Sequence, residues 1–331
     1  MKVLGLLYGF LLPLLSFRGT ASSTSATAVP TLEESVPIHD KCWVFMHLQK
    51  SGGTTVKLIL RDAFPGEFKV YDSPHWKRGN GFLQETGDRL SGGNHMKVVA
   101  GGYAEALRLS GAVEKKCRWF TLFRHPISRL ISAYYYCKKS PSDRACGSSV
   151  VNANNVDIVT FAKHWGNYAM RQFALSLVSV DDVLQYIRTD AVSGTLPSFE
   201  KTPGWCLLKV YLEDQGRTSE KVENPGRAMY EMLQPVQDVL RDKYTVGILE
   251  EFNTTLSLFN AALEVPDVDW HEKYAGGGIR NKDTRYFDEE AAALEGAWTN
   301  SEIKKYMRLD LILYEHAVDV FHQQAREYGL E

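Results

Sequence analysis

The sequence predicts an α/β protein built on a doubly wound parallel sheet flanked by helices. Two stretches carry this prediction, because each reads as a buried strand, a tight turn and an amphipathic helix. The first covers residues 42–60 (CWVFMHLQKSGGTTVKLIL), and the second covers residues 118–136 (RWFTLFRHPISRLISAYYY). Strands that alternate with helices favour parallel pairing. In such sheets ligands bind beyond the carboxyl ends of the strands, where both turns fall.

The first turn runs through Ser51-Gly52-Gly53 into a helix that Thr54 and Thr55 are expected to cap. A glycine turn at a helix N-terminus directs several backbone N–H groups at one spot, which attracts phosphate or sulfate. The Walker A loop places its lysine after the last glycine. Lys50 instead precedes both glycines, so its ammonium approaches from the strand side. Taken alone, the turn also fits an ordinary strand–turn–helix with surface threonines.

The second turn follows a strand that ends at Arg124. Pro126 is suited to the first position of the next helix, which contains Ser132. A guanidinium donates two parallel, charge-assisted hydrogen bonds to a phosphate. Either residue alone would be an ordinary surface residue, but two such strand-ended turns in this order are hard to obtain by chance.

Composition limits the possible partners of the chain. Its 331 residues allow one large or two small domains, and 44% hydrophobic with 24% charged residues is typical of a globular protein. A net charge of −2 gives no general attraction to polyanions, so no nucleic-acid partner is expected. An anionic ligand must therefore be held by a local basic cleft.

The N-terminus is expected to be a targeting segment. Residues 1–21 predict a signal peptide or a short signal anchor, because the apolar run at 3–17 is shorter than the ~20 residues of a spanning helix. Residues 22–40 predict a disordered stem, and residues 41–331 predict the folded domain. Either form of the segment places the domain in the secretory lumen, with membrane contact only if the segment stays uncleaved.

The chain has five cysteines. Cys42 and Cys117 open the two strands, so they predict a disulfide if those strands are parallel neighbours. Cys137 and Cys146 predict a second disulfide, which leaves Cys206 free. With no CxxC motif and no Cys/His cluster, the sequence predicts no metal site.

The remaining pattern predicts further elements along the chain. Strands are predicted at 67–71, 96–100 and 244–249, and helices at 104–109, 158–178 with a break at 164–167, 181–187, 228–240, 253–263 and 302–324. A loop over the active site is predicted at 73–94, and a mobile glycine-rich lid at 276–285. One glycosylation sequon is present, Asn253-Thr254-Thr255.

Four segments of the chain resemble the Golgi carbohydrate sulfotransferases that use 3′-phosphoadenosine 5′-phosphosulfate (PAPS). The closest resemblance is to the heparan sulfate 6-O-sulfotransferases. Residues 47–55 resemble the phosphosulfate loop, 121–132 the 3′-phosphate motif, 167–178 the Asn-Arg-Gln helix, and 246–259 the last strand and its helix. The similarity spans most of residues 42–325 and implies a single sulfotransferase domain with a P-loop-like fold.

The resemblance also implies roles for individual residues. Phosphosulfate binding is implied for Lys50, Ser51, Gly52, Gly53, Thr54 and Thr55, 3′-phosphate binding for Arg124 and Ser132, and acceptor binding for Arg171, Gln172 and His75. From the lid, Thr284 and Arg285 are expected to reach the cofactor. The family's catalytic histidine has no counterpart in residues 98–107, so the candidate bases are His95 and Glu105, followed by His75 and Glu85.

The implied reaction transfers the sulfuryl group of PAPS in line to a hydroxyl of a glycosaminoglycan-like carbohydrate in the Golgi lumen, without a metal. Lys50 would stabilise the charge that develops on the leaving oxygen, and a general base would take the acceptor proton. His47 is expected to play a structural role under the loop. Two alternatives are a catalytically silent PAP(S)- or glycan-binding protein on the same fold, and a kinase that uses ATP and Mg²⁺.

Overall fold

The computed structural model describes residues 42–70, 97–102, 117–141, 146, 152–174, 232–265, 268–277 and 287–331. The predicted targeting segment, the stem, the loop at 73–94 and the helices at 104–109 and 181–187 lie outside these ranges, as does nearly all of the lid at 276–285. No helix in the described ranges is long and apolar enough to cross a membrane.

The described residues form an α/β protein with a five-stranded, all-parallel sheet in the order β2-β3-β1-β4-β5. The strands are β1 (Cys42–Met46), β2 (Phe68–Val70), β3 (Val98–Gly101), β4 (Cys117–Phe123) and β5 (Tyr244–Ile248). From β1 the chain builds one side of the sheet and then crosses to the other side at β4. This reversal between β1 and β4 is where open α/β sheets bind their ligands.

Helices pack on the sheet and on one another. They are α1 (Gly53–Ala63), α2 (Pro126–Lys139), α3 (Ile158–Trp165), α4 (Tyr168–Ala174), α5 (Leu233–Lys243), α6 (Phe252–Leu263), α7 (Trp270–Gly277), α8 (Phe287–Thr299), α9 (Ser301–Tyr306) and α10 (Arg308–Glu327). A 3₁₀ turn, Leu249–Glu251, joins β5 to α6. The single helix predicted at 302–324 is wrong, because the chain breaks at Met307 between α9 and α10.

Alternation along β1 shows that both faces of the sheet are covered. Val44 and Met46 join a core that includes Phe321 of α10, whereas Trp43 and Phe45 join a separate core with α1 and α6. All five residues of β1 are buried, as expected for a central parallel strand. The predicted parallel sheet flanked by helices is therefore confirmed.

Both predicted disulfides are present. Cys42 and Cys117 are register partners on β1 and β4, with their Cα atoms 4.4 Å apart. Cys137 at the end of α2 bonds Cys146, with a Cα separation of 5.1 Å. Cys206 lies outside the described residues. The first bridge ties together the opening ends of the two strands whose carboxyl ends carry the candidate site.

Candidate functional site

The turn after β1 has an unusual backbone. Lys50 and Gly52 adopt φ values of 66° and 79°, in the left-handed region that a residue with a side chain seldom occupies. Gly52 occupies the N-cap position of α1, and no side chain of the described residues caps the helix. The predicted capping role of Thr54 and Thr55 is therefore wrong, since both lie inside the first turn of α1. The side chain of Ser51 is buried, and its hydroxyl has no hydrogen-bond partner among the residues that the structure describes.

His47 supports this turn from below. Its side chain is 8% exposed, its ring stacks on Phe45 with a centroid distance of 5.9 Å, and its backbone N–H donates to the Gly101 carbonyl. Gly53 packs directly against the imidazole, because a Cβ placed there would lie 2.0 Å from Cδ2 of the ring. Gly53 is thus required for close approach, and the histidine fixes where α1 begins.

Replacing Gly53 with alanine is expected to destabilise the protein by roughly 1–3 kcal/mol, the usual cost of overpacking a filled site. It should also weaken ligand binding, because the methyl group forces the turn or the His47 ring to move. Urea unfolding of Gly53→Ala, of His47→Ala and of the double variant His47→Ala/Gly53→Ala tests this contact. We expect the double variant to lose less than the sum of the single variants. Strict additivity would contradict the proposed clash.

The second turn contacts the first. Nη1 of Arg124 donates to the Lys50 carbonyl oxygen at 3.3 Å, which joins the ends of β4 and β1. Burial lowers the pKa of the Arg124 guanidinium, and the carboxylates of Glu290 and Glu250 oppose that shift. The Lys50 ammonium lies 4.0 Å from the ring centroid of Tyr136 on α2. The guanidinium of Arg124 therefore contacts the backbone of the first turn, whereas the Lys50 ammonium lies over a ring of α2.

A carboxylate that the sequence did not reveal holds the start of α2. Glu250 accepts hydrogen bonds from the His125 backbone N–H at 2.8 Å and from the Tyr314 hydroxyl at 3.1 Å. The His125 ring stacks on Trp298 with a centroid distance of 4.0 Å. Burial lowers the pKa of His125, opposed by Glu250, so the imidazole is neutral near pH 7. Glu250 thereby positions the residue that follows Arg124.

Two polar residues cap each other's helices on one side of the sheet. Asn167 accepts from the backbone N–H groups of Leu309 and Asp310 at the start of α10, at 3.0 and 3.2 Å. Asp310 in turn accepts from the N–H groups of Ala169 and Met170 at the start of α4. Each side chain thus satisfies backbone donors that a helix leaves unpaired. This exchange fixes the position of the Asn-Arg-Gln helix.

A buried ion pair links the same helices to α2. Nη2 of Arg129 lies 3.1 Å from Asp310, and both side chains are almost completely buried. The guanidinium also stacks over the Tyr168 ring at 4.8 Å. Asp310 therefore joins α2, α4 and α10 through one carboxylate. No local sequence pattern marks this role, because the partner is 181 residues away.

Two of the three residues predicted to bind the sugar acceptor, Arg171 and Gln172, lie on α4. Arg171 is buried and donates to the Gly166 carbonyl at 2.6 Å, and burial lowers its pKa to about 10, so it stays charged at neutral pH. Gln172 is buried, and no group in the described ranges forms a hydrogen bond with its side-chain oxygen. That oxygen, the Tyr168 hydroxyl and the His47 carbonyl surround Gly102 within 4 Å of an added Cβ. Gln172 therefore lies at the carboxyl edge of β3, beside the first turn.

Several predicted residues are placed, and others are outside the described ranges. Ser132 is half-buried in α2, Thr54 is exposed and Thr55 is half-buried on α1. The candidate bases His95, Glu105, His75 and Glu85, and the lid residues Thr284 and Arg285, lie outside the described residues. Their roles stay predictions.

Within the described part of the chain, one group of three side chains has ligand atoms close enough to suggest a metal site: Glu251, His322 and Glu331. Nδ1 of His322 faces Glu331, and its Nε2 lies 3.3 Å from Glu251. The two nitrogens point away from each other, so the carboxylates flank the ring. Hydrogen bonding of the ring to both carboxylates accounts for this arrangement.

Comparison with protein-family models and with curated proteins gives no match to the chain. A function for the chain therefore has to come from its residues and their geometry.

Proposed function

We propose that the chain is a PAPS-dependent carbohydrate sulfotransferase of the Golgi lumen, with a single P-loop-like domain that resembles the heparan sulfate 6-O-sulfotransferases. The observation that carries this proposal is the contact between the two turns, in which Arg124 donates to the Lys50 carbonyl. One ligand with two anionic ends, such as PAPS, would span them. Phosphosulfate would lie at residues 50–55, and the 3′-phosphate would lie at Arg124 and Ser132.

The first turn has the properties that phosphosulfate binding requires. Among the described residues no side chain caps the N-terminus of α1, so its dipole favours an anion there. The N–H groups of Ser51 and Thr55 already donate to the Leu48 and Gly52 carbonyls, which leaves the binding of an anion to Gly53 and Thr54. The buried hydroxyl of Ser51 has no partner in the described part of the chain, and leaving it unpaired is costly unless a ligand or another group supplies a partner. Lys50 adds a full positive charge on the strand side of the turn. Cys42–Cys117 and Cys137–Cys146 fit a protein that folds in an oxidising compartment.

In the proposed reaction the acceptor hydroxyl oxygen attacks sulfur, and the bond from sulfur to the bridging oxygen breaks. Negative charge then builds on the bridging oxygen, where the Lys50 ammonium and the turn's N–H groups stabilise it. A general base takes the hydroxyl proton, a role proposed for His95 or Glu105. Gln172 lies at the carboxyl edge of β3, and its buried side-chain oxygen has no hydrogen-bond partner within the described ranges; its role in binding the sugar is part of the proposal.

Thermal unfolding with added ligands separates this proposal from its rivals. PAP is expected to raise the melting temperature in the presence of EDTA, because binding to the native state alone stabilises it. Stabilisation by ATP with Mg²⁺ but not by PAP would contradict the proposal and favour a kinase. Turnover of labelled PAPS on glycan acceptors then separates a transferase from a silent binding protein.

Arg124→Ala is expected to weaken PAP binding roughly 10- to 150-fold, which corresponds to the ~1.5–3 kcal/mol of a charge-assisted hydrogen bond. Its contact to the 3′-phosphate is the same in the ground and transition states, so kcat should change little. Arg118→Ala is the matched control. Arg118 is the second residue of the same strand and donates to the Ala262 carbonyl and to Glu264, away from the turns. Isothermal titration of PAP into both variants tests the prediction, and equal losses would contradict it.

A further inference from the structure

The single sequon of the chain begins in the first turn of α6, and its two functional residues face opposite ways. Asn253 is exposed, whereas Thr255 is 0% exposed. The Thr255 hydroxyl donates to the Ile248 carbonyl at 2.9 Å and accepts from the Ile248 N–H at 2.8 Å. Its methyl group packs against β5, since a Cβ at Gly247 would lie 2.5 Å from it. Thr255 is thus fixed between strand and helix.

We propose that Asn253 is N-glycosylated, and that the glycan is added before α6 packs on β5. The enzyme that transfers the N-glycan recognises the asparagine together with the hydroxyl residue two positions further along the chain. In a helix, side chains two residues apart point roughly 200° away from each other. The folded chain therefore presents Asn253 but hides Thr255, and both become accessible only in the unfolded chain. The exposure of Asn253 leaves room for the glycan after folding.

The two disulfides support the compartment that this modification needs. Cys42–Cys117 and Cys137–Cys146 require an oxidising environment, which in a secretory cell is where N-glycosylation occurs. N-glycosylation and the proposed sulfuryl transfer both require the chain to enter the secretory pathway, but glycosylation does not depend on the sulfuryl-transfer reaction. A chain that lacks transferase activity would carry the same glycan.

The step is a group transfer without oxidation or reduction. The side-chain amide nitrogen of Asn253 forms a bond to C1 of an oligosaccharide carried on a lipid diphosphate. The bond from C1 to the diphosphate oxygen breaks, and the lipid diphosphate leaves. The amide nitrogen loses one proton to a base of the enzyme that transfers the glycan. The sequence contains no other sequon, so a single glycan is expected.

The first experiment expresses the full chain in secretory mammalian cells and maps its peptides after treatment with a peptide N-glycosidase. That enzyme leaves aspartate where a glycan was removed, so the wild-type peptide should show Asp at position 253. Thr255→Ser, which keeps the hydroxyl, and Thr254→Ala should both remain modified, and Asn253→Gln should not. An unmodified Asn253 in the wild-type chain would overturn the proposal, whatever the folding of the variants.

A second experiment tests the order of events. The unglycosylated chain is offered to microsomal membranes that contain the lipid-linked donor, once folded with its disulfides intact and once reduced and unfolded. Only the unfolded chain is expected to gain a glycan. Equal modification of both forms would overturn the claim that folding hides Thr255.

Discussion

Lys50→Ala is expected to lower kcat for sulfuryl transfer by roughly 10²–10³-fold, the scale seen when one preorganised donor is removed from a reacting centre. The reason is that charge develops on the bridging oxygen only as its bond to sulfur breaks, so the ammonium acts mainly in the transition state. PAPS affinity should fall much less. Lys50→Arg should not restore the rate, because a planar guanidinium does not match a site shaped for a compact ammonium.

The control for this variant is Lys57→Ala. Lys57 lies within α1, about one helical turn after the glycine turn. Its kcat should match that of the wild type. The Lys50→Ala variant keeps a Cβ at position 50, so the left-handed backbone of the turn is equally strained in this variant and in the wild type. Steady-state kinetics with labelled PAPS give kcat and the KM for PAPS. If Lys50→Ala lost only affinity while Arg124→Ala lost only kcat, the two turns would be assigned the wrong way round.

Asp310→Ala is expected to destabilise the fold by roughly 3–5 kcal/mol, the cost of breaking a buried ion pair by removing one partner. The change leaves the Arg129 guanidinium buried without its carboxylate, and it leaves the first N–H groups of α4 without acceptors. Asp310→Asn keeps an acceptor but loses the charge, so its loss should be intermediate. The position of Arg171 and Gln172 should change with that of α4.

An exposed ion pair serves as the matched control for Asp310. Asp238 lies 2.9 Å from Arg241 on α5, and both side chains are about two-fifths exposed. Because water screens such pairs, Asp238→Ala should cost less than ~1 kcal/mol. Urea unfolding of the three variants gives the comparison. An Asp310→Ala loss as small as that of Asp238→Ala would contradict the structural role assigned to Asp310.

The strands and disulfides could be predicted because they follow from local patterns. The apolar run of β1, the glycine turn after it and the Arg-His-Pro turn after β4 each lie within a short stretch. Cys42 and Cys117 open those two strands, so parallel pairing alone brings them together. The predicted strand at 244–249 and the predicted helix at 253–263 likewise match β5 and α6 within one residue at each end.

The contacts that hold the site could not be predicted, since their partners are far apart in the chain. Glu250 is 125 residues from His125, and neither sequence context indicates a capping contact. The helix cap of α1 was wrongly predicted because Gly52 takes a left-handed conformation that moves the helix start back to Gly53. Similarly, the break at Met307 depends on Asn167, which caps α10 from another part of the chain.

The most direct test of the account is calorimetric titration of the wild-type chain and Arg124→Ala with two ligands, in EDTA. The ligands are PAP and adenosine 5′-phosphosulfate, which lacks the 3′-phosphate. The wild type should bind PAP at one site. Arg124→Ala, which lacks the interaction with the 3′-phosphate, should bind PAP roughly 10- to 150-fold more weakly than the wild type does. In Arg124→Ala, the affinity for PAP relative to adenosine 5′-phosphosulfate should fall, because the contact to the 3′-phosphate is gone. Failure of the wild type to bind PAP, or an unchanged preference for the 3′-phosphate in Arg124→Ala, would contradict the proposed site.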